Sequence, residues 1–202
     1  MDHTLEIRWF VPGAPPASVI DWITDLGAQD DSTRTDLYLV SDDPAMNVKL
    51  REGKVQTKYR MTDPVPVTID DTAQGQMERW VKWSFPTKDT PAPRVDDPTA
   101  LWHPVHKERL QLELGPSAQA ARLGTDPPST DADAAIELTV VESRGTKAWS
   151  ICVEAEGAPH ALDPTLSALA PHWFEQGAPP DLPADRSFGY ASWLASITTE
   201  SK

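Results

Sequence analysis

The sequence predicts an α+β protein: a closed antiparallel β-barrel with a polar interior and short helices packed outside it. Six short stretches alternate strictly between apolar and polar residues, a period typical of β-strands because successive side chains point to opposite faces. Tight turns join several of these stretches, which favours antiparallel pairing. The polar positions of every stretch carry charge, and a closed barrel would gather those charges around one ligand.

The first half of the chain opens with a predicted strand over residues 4–11, which ends at Pro12-Gly13. Residues 17–26 carry the apolar stripe of an amphipathic helix, and Gly27 is a typical helix-terminating residue. The other elements predicted in this half are strands over 34–40, 46–51, 55–60 and 78–85, a hairpin turn at Glu52-Gly53-Lys54, a loop or irregular edge over 62–75 and a long proline-rich loop over 86–100.

The second half combines one long strand, a second hairpin and three helical segments. Arg144-Gly145 separates two alternating stretches and predicts the hairpin turn. The elements predicted in order are a strand over 102–114, helical turns over 116–123, a connection over 125–133, strands over 135–142 and 148–156, a helix over 162–174, a linker over 177–185 and a C-terminal helix over 187–197.

Length and charge limit the possible functions. At 202 residues the chain fits a single domain over 1–202. Its net charge of −13 argues against binding nucleic acid or an anionic membrane through the whole surface. The charge is uneven, because residues 49–109 carry eleven Lys and Arg against nine Asp and Glu. The cations therefore concentrate locally, within the predicted strands.

The cytoplasm is the expected compartment. Cys152 is the only cysteine, so neither a disulfide within the chain nor a cysteine-based metal cluster is expected. No apolar run reaches transmembrane length. The segment Met1-Asp2-His3-Thr4-Leu5-Glu6 lacks the basic and apolar parts of a signal peptide. The sequence does not indicate the oligomeric state.

The charged faces of the predicted strands have two interpretations. One is the solvent-exposed face of an ordinary sheet, whose strands also alternate between apolar and polar residues. The other is a binding surface, because like charges side by side across a ladder repel and call for an anion between them. Carboxylates that share this face suit a divalent cation, and cations suit phosphate oxygens. The in-phase cations are Arg8, Lys49, Arg51, Lys58, Arg60, Lys82, Lys107 and Arg109, and the in-phase carboxylates are Glu6, Glu154 and Glu156.

Eight short motifs follow one another along nearly the whole chain. They are Thr4-Leu5-Glu6-Ile7-Arg8, Arg34-Thr35-Asp36-Leu37-Tyr38, Lys49-Leu50-Arg51, Lys58-Tyr59-Arg60, Glu78 with Lys82, Lys107-Glu108-Arg109, Glu154-Ala155-Glu156 and Ser187-Phe188-Gly189-Tyr190. In this order they resemble the CYTH domain family, also called the triphosphate tunnel metalloenzymes. The family's opening motif is Glu-x-Glu-x-Lys, and this chain has Thr4 in place of the first acid.

The resemblance implies a metal-dependent hydrolase of inorganic triphosphate, a nucleoside triphosphate or thiamine triphosphate, with adenylate cyclase as a sibling activity. It implies Mg²⁺ or Mn²⁺ held by Glu6, Glu154 and Glu156, and catalytic roles for Glu6, Arg8 and Lys58. The substrate-binding residues that it implies are Lys49, Arg51, Lys58, Arg60, Lys82, Lys107 and Arg109.

Two alternatives to catalysis stay open at this point. Thr4 can offer a metal only a neutral hydroxyl, which favours a non-catalytic phosphate-binding or polyanion-binding protein with a decayed metal site. The other alternative is an interaction protein whose charged faces are simply wet. Trp80 shares the phase of Lys82 and is a candidate for stacking on a base or a thiazole-like ring.

Overall fold

The computed structural model describes residues 1–87 and 101–199. Of the loop predicted over 86–100, residues 88–100 lie outside the described residues. Within the described residues no helix is both long enough and apolar enough to cross a membrane.

The described residues form nine antiparallel strands and four α-helices, and eight of the strands close into a barrel. The ring runs β1-β9-β8-β7-β2-β3-β4-β6 and closes because β6 also pairs with β1, while β5 adds to the edge of β6. This confirms the predicted closed antiparallel barrel. The strands are β1 (Asp2–Pro12), β2 (Gln29–Leu39), β3 (Met46–Arg51), β4 (Lys54–Arg60), β5 (Val65–Thr68), β6 (Gln74–Pro86), β7 (Trp102–Leu114), β8 (Ala132–Ser143) and β9 (Thr146–Gly157).

Two-residue turns set the register of both predicted hairpins. Glu52 and Gly53 join β3 to β4, and Arg144 and Gly145 join β8 to β9. All four residues have positive φ, from 49° to 79°, as the tightest hairpin turns require. Because side chains alternate across a strand, this register decides which residues face the barrel interior.

Four helices accompany the barrel: α1 (Ala17–Asp25), α2 (Pro116–Leu123), α3 (Pro159–Phe174) and α4 (Tyr190–Thr199). The outward side chains of β1, β8 and β9 pack against α1 and α3 in the main apolar core, where Trp9, Ile151 and Trp173 are fully buried. This burial explains why the apolar phase of those strands is so regular, since each outward position lies under a helix.

The last helix, α4, packs across one end of the barrel. Trp193 stacks on Phe10 with ring centroids 5.2 Å apart, and Tyr190 stacks on Tyr38 at the same distance. Both partners are inward-facing strand residues, and Leu194 completes this second core. The barrel interior is therefore closed at this end. The partly exposed side chains of Lys82 and Glu156, beside the start of β1, mark the other end of the interior, the mouth.

The structure gives two predicted segments more definite bounds. The segment over 62–75, predicted as a loop or an irregular edge, contains the edge strand β5 and the start of β6, because Asp70 Oδ1 accepts the N–H groups of Thr72 and Ala73 and turns the chain back. The predicted helix over 187–197 begins only at Tyr190. Ser187 instead forms a bridge to Trp9, which its sequence pattern does not indicate.

Candidate active site

The barrel interior contains a cavity of about 310 Å³. Its lining holds eight cations and five carboxylates, so the positive charge of the predicted faces converges on one enclosed space. This orientation goes against the wet-face interpretation. The charged residues of the lining are Glu6, Arg8, Arg34, Lys49, Arg51, Lys58, Lys82, Lys107, Arg109, Glu113, Glu137, Glu154 and Glu156.

The structure brings ten of the eleven predicted site residues to this cavity. Arg60 is the exception: its Nη1 lies 2.6 Å from Glu78 Oε1, and its guanidinium lies 5.8 Å from the centre of the Trp80 ring. Burial and the nearby Glu6 charge raise the pKa of Glu78. Trp80 is only 2 % exposed, so it offers no free face to a base.

Three carboxylates lie side by side on neighbouring strands. Glu6 on β1 is directly opposite Glu78 on β6 and directly opposite Glu154 on β9. Each side chain points inward, because Glu6 alternates with Leu5 and Ile7, whose side chains are buried in the main core. The closure of the barrel between β1 and β6 thus creates an acidic row that no single hairpin contains.

Lys58 neutralises part of this row. Its Nζ donates to Glu6 Oε2 at 2.9 Å and to Glu154 Oε1 at 3.3 Å. Burial alone would raise the pKa of Glu6, but the Lys58 and Arg8 charges outweigh it and hold that pKa below its usual value. Burial raises the pKa of Glu154, and the attraction of Lys58 does not fully offset it because Glu6 and Glu137 repel its charge.

A second buried cluster lies deeper and centres on Glu137. Arg8 Nη1 donates to Glu137 Oε1 at 2.6 Å, and Arg109 Nη1 donates to Glu137 Oε2 at 3.2 Å. Burial opposes the ionised carboxyl, but these two guanidinium groups lower the pKa of Glu137 to about 2. The Nε of Arg8 is buried and has no hydrogen-bond acceptor among the described residues.

The alternation pattern does not single out Glu137, because β8 shows no charged i, i+2 pair. A signal nevertheless existed. The two-residue turn at Arg144-Gly145 places Glu137 opposite Cys152, which shares the inward phase of Glu154. Extending the predicted hairpin register would therefore have placed this carboxylate inside the barrel.

Beside α4, the innermost cations contact aromatic rings. Lys107 Nζ donates to Tyr38 Oη at 2.6 Å, lies 3.1 Å from Asp36 Oδ2 and sits 4.0 Å from the centre of the Tyr190 ring. Burial and the Lys49 charge hold the pKa of Lys107 well below its usual value. Arg34 Nε lies 3.4 Å from Asp36 Oδ1, so Arg34 and Lys107 share this carboxylate. Neither Arg34 nor Asp36 was predicted as a site residue.

The cations of β3 lack a comparable partner. Lys49 forms no ion pair with any of the described residues, and burial together with Lys58 and Arg51 lowers its pKa to about 8, although Asp36 attracts it. Arg51 reaches only its exposed neighbour Glu52, at 3.8 Å. An anion in the cavity would supply the counter-charge that the protein does not.

The predicted metal ligands are only partly brought together. Oxygens of Glu6 and Glu154 and the sulfur of Cys152 lie within 4.8 Å of one another. Glu156 lies nearer the mouth and pairs with Lys82 at 3.1 Å. Thr4, fully buried between Trp80 and Glu156, offers only a hydroxyl that has no hydrogen-bond partner among the described residues.

The donor set of this group fits Mg²⁺ or Mn²⁺. Both ions prefer oxygen ligands and keep several waters, so two carboxylates with water ligands suit them. Burial raises the pKa of Cys152, and a thiol is a soft donor, so these hard ions favour the two carboxylates over it. No known protein family matches this chain, and no curated protein shows significant similarity to it.

Proposed function

We propose that this protein is a metal-dependent hydrolase of the triphosphate tunnel type, acting on a triphosphate bound in the barrel cavity. One observation carries the proposal. Two cations of β3 and a pair of adjacent carboxylates, Glu6 and Glu154, line the same cavity. Among the described residues Lys49 has no ion pair and lies 5.9 Å from the centre of the Tyr38 ring, and Arg51 reaches only the exposed Glu52. A metal–triphosphate complex is the ligand that satisfies both sets of charges.

The chain's own residues bind and orient the substrate. Because α4 fills the inner end, the triphosphate enters at the mouth, where Lys82 and Arg51 are partly exposed. Lys49 and Arg51 bind its oxygens from β3. Arg8 is held in place by Glu137, and its Nε–H makes no hydrogen bond with the described residues, although Glu6 Oε1 lies 4.0 Å away. This N–H would bind the deeper oxygens and neutralise charge that develops there.

The divalent ion would be held by Glu6 and Glu154. When bound, it polarises a phosphoryl oxygen and helps to orient the attacking water. Lys58 and Arg8 neutralise charge on the transferred phosphoryl group, which is the main task of a protein in this reaction class. The buried side chains of the cavity exclude bulk water and strengthen each of these interactions.

Inorganic triphosphate fits the cavity better than a nucleotide does. The rings that line it are Tyr38, Trp80 and Tyr190, and each is already covered by another ring or by a cation. Without a free aromatic face, the described lining has no stacking surface for a base. We therefore expect tripolyphosphate to be turned over faster than ATP.

The test measures phosphate release from tripolyphosphate and from ATP with Mg²⁺, Mn²⁺ or EDTA. We expect metal-dependent release that falls by about 100-fold or more in Arg51→Ala and in Glu154→Ala. Glu142→Ala, which removes an outward carboxylate of β8, serves as the control. Unchanged turnover in both site variants would contradict the proposal, and cyclic AMP formed from ATP would identify the sibling cyclase activity instead.

A non-catalytic triphosphate-binding protein is the second candidate. Two observations favour it: Thr4 is neutral where the resembling family has an acid, and Lys58 already lies between Glu6 and Glu154. Tight binding of tripolyphosphate without turnover would support it. In that case Thr4→Glu, which restores the missing acid, should produce turnover, whereas an active wild type would gain little.

A further inference from the structure

The ammonium group of Lys58 lies where a divalent cation would lie. Its Nζ contacts Glu6 Oε2 and Glu154 Oε1 at 2.9 and 3.3 Å. These are the two carboxylates whose ligand atoms converge within 4.8 Å. A metal ion bound by both carboxylates would therefore occupy the space that now holds a positive charge.

Lys58 and a metal ion cannot share this space. Like charges a few ångströms apart repel strongly in a partly buried site. Mg²⁺ and Mn²⁺ also need room for their remaining water or phosphate ligands. The side chain of Glu6 is 6 % exposed and that of Lys58 is 25 % exposed, so the lysine has more room to move than the carboxylate.

Another place for the lysine exists on the substrate side. Lys49 on β3 is directly opposite Gln56 on β4, which shares a strand face with Lys58, and both lysines line the cavity. The charge of Lys58 accordingly contributes to the lowered pKa of Lys49. A phosphate oxygen bound beside Lys49 would give Lys58 an anion to contact when it leaves Glu6 and Glu154. Lys58 also lines the cavity itself.

We propose that Lys58 is an exchangeable internal cation that holds the Glu6–Glu154 pair until a metal and a triphosphate arrive together. The triphosphate accepts Lys58 and frees both carboxylates for the metal. This inference rests on the proposed triphosphate-binding function. It predicts weak metal binding to the protein alone, and metal and triphosphate that raise each other's affinity by the same factor.

The test compares Mn²⁺ affinity at pH 8, measured from the electron paramagnetic resonance signal of the free ion. Three variants are compared with the wild type. Lys58→Met removes the competing charge, and Lys58→Arg keeps it. Lys82→Met is the matched control, because it removes one cavity lysine from a different carboxylate, Glu156. Circular dichroism establishes that each variant is folded.

Without triphosphate, we expect Lys58→Met to bind Mn²⁺ at least about tenfold more tightly than the wild type. Lys82→Met, which lowers the cavity charge equally, should gain less than about threefold, and Lys58→Arg should stay weak. Tripolyphosphate should raise the Mn²⁺ affinity of the wild type by a larger factor than that of Lys58→Met.

Two outcomes would overturn the exchange. One is a Lys58→Met variant that binds Mn²⁺ no more tightly than Lys82→Met. The other is tripolyphosphate that leaves the Mn²⁺ affinity of the wild type unchanged. These results are independent of turnover: coupled binding of Mn²⁺ and tripolyphosphate without phosphate release would contradict hydrolysis and still support the exchange.

Discussion

The two sides of the barrel cavity differ in how their charges are neutralised. On the paired side, the carboxylates Glu6, Glu137 and Glu154 each contact a cation of the chain. On the unpaired side, Lys49 forms no ion pair with the described residues, and Arg51 reaches only an exposed neighbour. A buried charge without a partner lowers the stability of a fold. The proposed triphosphate would supply the counter-charge that the unpaired side lacks among the described residues.

The largest expected effect is a loss of stability when a carboxylate of the paired side is removed. Glu137→Ala leaves Arg8 and Arg109 without their shared carboxylate, and removing one partner of a buried ion pair costs about 3–5 kcal/mol. We expect the free energy of unfolding in urea to fall by that amount. Glu142→Ala on the same strand is the control, because its pair with Lys147 is largely exposed and should change stability by less than about 1 kcal/mol. Equal losses in both variants would show that Glu137 is not held in a buried network.

Lys49→Met should have opposite effects on binding and on stability. The substitution removes a cation that a phosphate oxygen would contact, so we expect the affinity for tripolyphosphate to fall by about tenfold to 100-fold. The same change removes a buried charge that has no ion pair, so we expect a gain in unfolding free energy of about 1–2 kcal/mol. Calorimetry and urea unfolding measure the two effects.

The control for Lys49→Met is Lys147→Met, an equal charge change at an exposed position outside the cavity. It should leave both the affinity and the stability nearly unchanged. A Lys49→Met variant that loses stability would mean that Lys49 has a favourable partner in the folded protein, and the contrast between the two sides would then fail.

The fold was largely predictable because its strands alternate so regularly. On β1, Leu5 and Ile7 lie under α3 while Glu6 faces the cavity, so the period of two correctly separated the core from the site. The two hairpins were predictable because each consists of two alternating stretches joined by a short turn that contains glycine. The pairing of β1 with β6 was not, because it joins strands about seventy residues apart and no local pattern encodes it.

Which residues line the cavity was more predictable than which of them contact one another. Lys58 was expected to bind substrate and to act in catalysis, and in the structure it contacts Glu6 and Glu154, which lie two and three strands away around the ring. Arg60 was expected in the cavity, yet it pairs with Glu78. Such contacts depend on the curvature of the closed ring and on side-chain reach, which alternation alone does not describe.

The protonation of Lys49 gives a pH-dependent contrast. Its folded-state pKa of about 8 lies below the value of 10.5 in the unfolded chain, so the unfolded state binds more protons between these limits. Below pH 8 the charged Lys49 lowers the unfolding free energy of the wild type by its full amount. This loss of stability decreases as the pH rises towards 10.5. The stability advantage of Lys49→Met should shrink over the same window, measured by urea unfolding at pH 7, 8.5 and 9.5.

Binding of tripolyphosphate should also take up a proton near pH 8.5. The positive charges of Lys58, Arg51 and Arg34 lower the pKa of Lys49, and a bound anion would offset this repulsion and favour the charged lysine. Calorimetry in two buffers of different ionisation enthalpy measures this uptake. Lys107, whose pKa is also lowered, contributes to the wild type and to Lys49→Met alike. The difference between the two proteins therefore reports on Lys49, and equal proton uptake in both would contradict its assignment to the anion site.

The smallest expected effect concerns Cys152, whose sulfur lies within 4.8 Å of the Glu6 and Glu154 oxygens. Burial raises the pKa of this thiol, which disfavours an added charge on the paired side, and a hard metal ion prefers the neighbouring carboxylate oxygens to sulfur. We expect Cys152→Ser to leave the Mn²⁺ affinity, measured with tripolyphosphate present, within about twofold of the wild type. Glu154→Gln should weaken it far more, because it replaces an anionic ligand with a neutral one at the same place. A large loss of Mn²⁺ affinity in Cys152→Ser would contradict this and identify the thiol as part of the metal site. The paired side would then need a third anion, beside Glu6 and Glu154, to balance the charges of Lys58 and the metal.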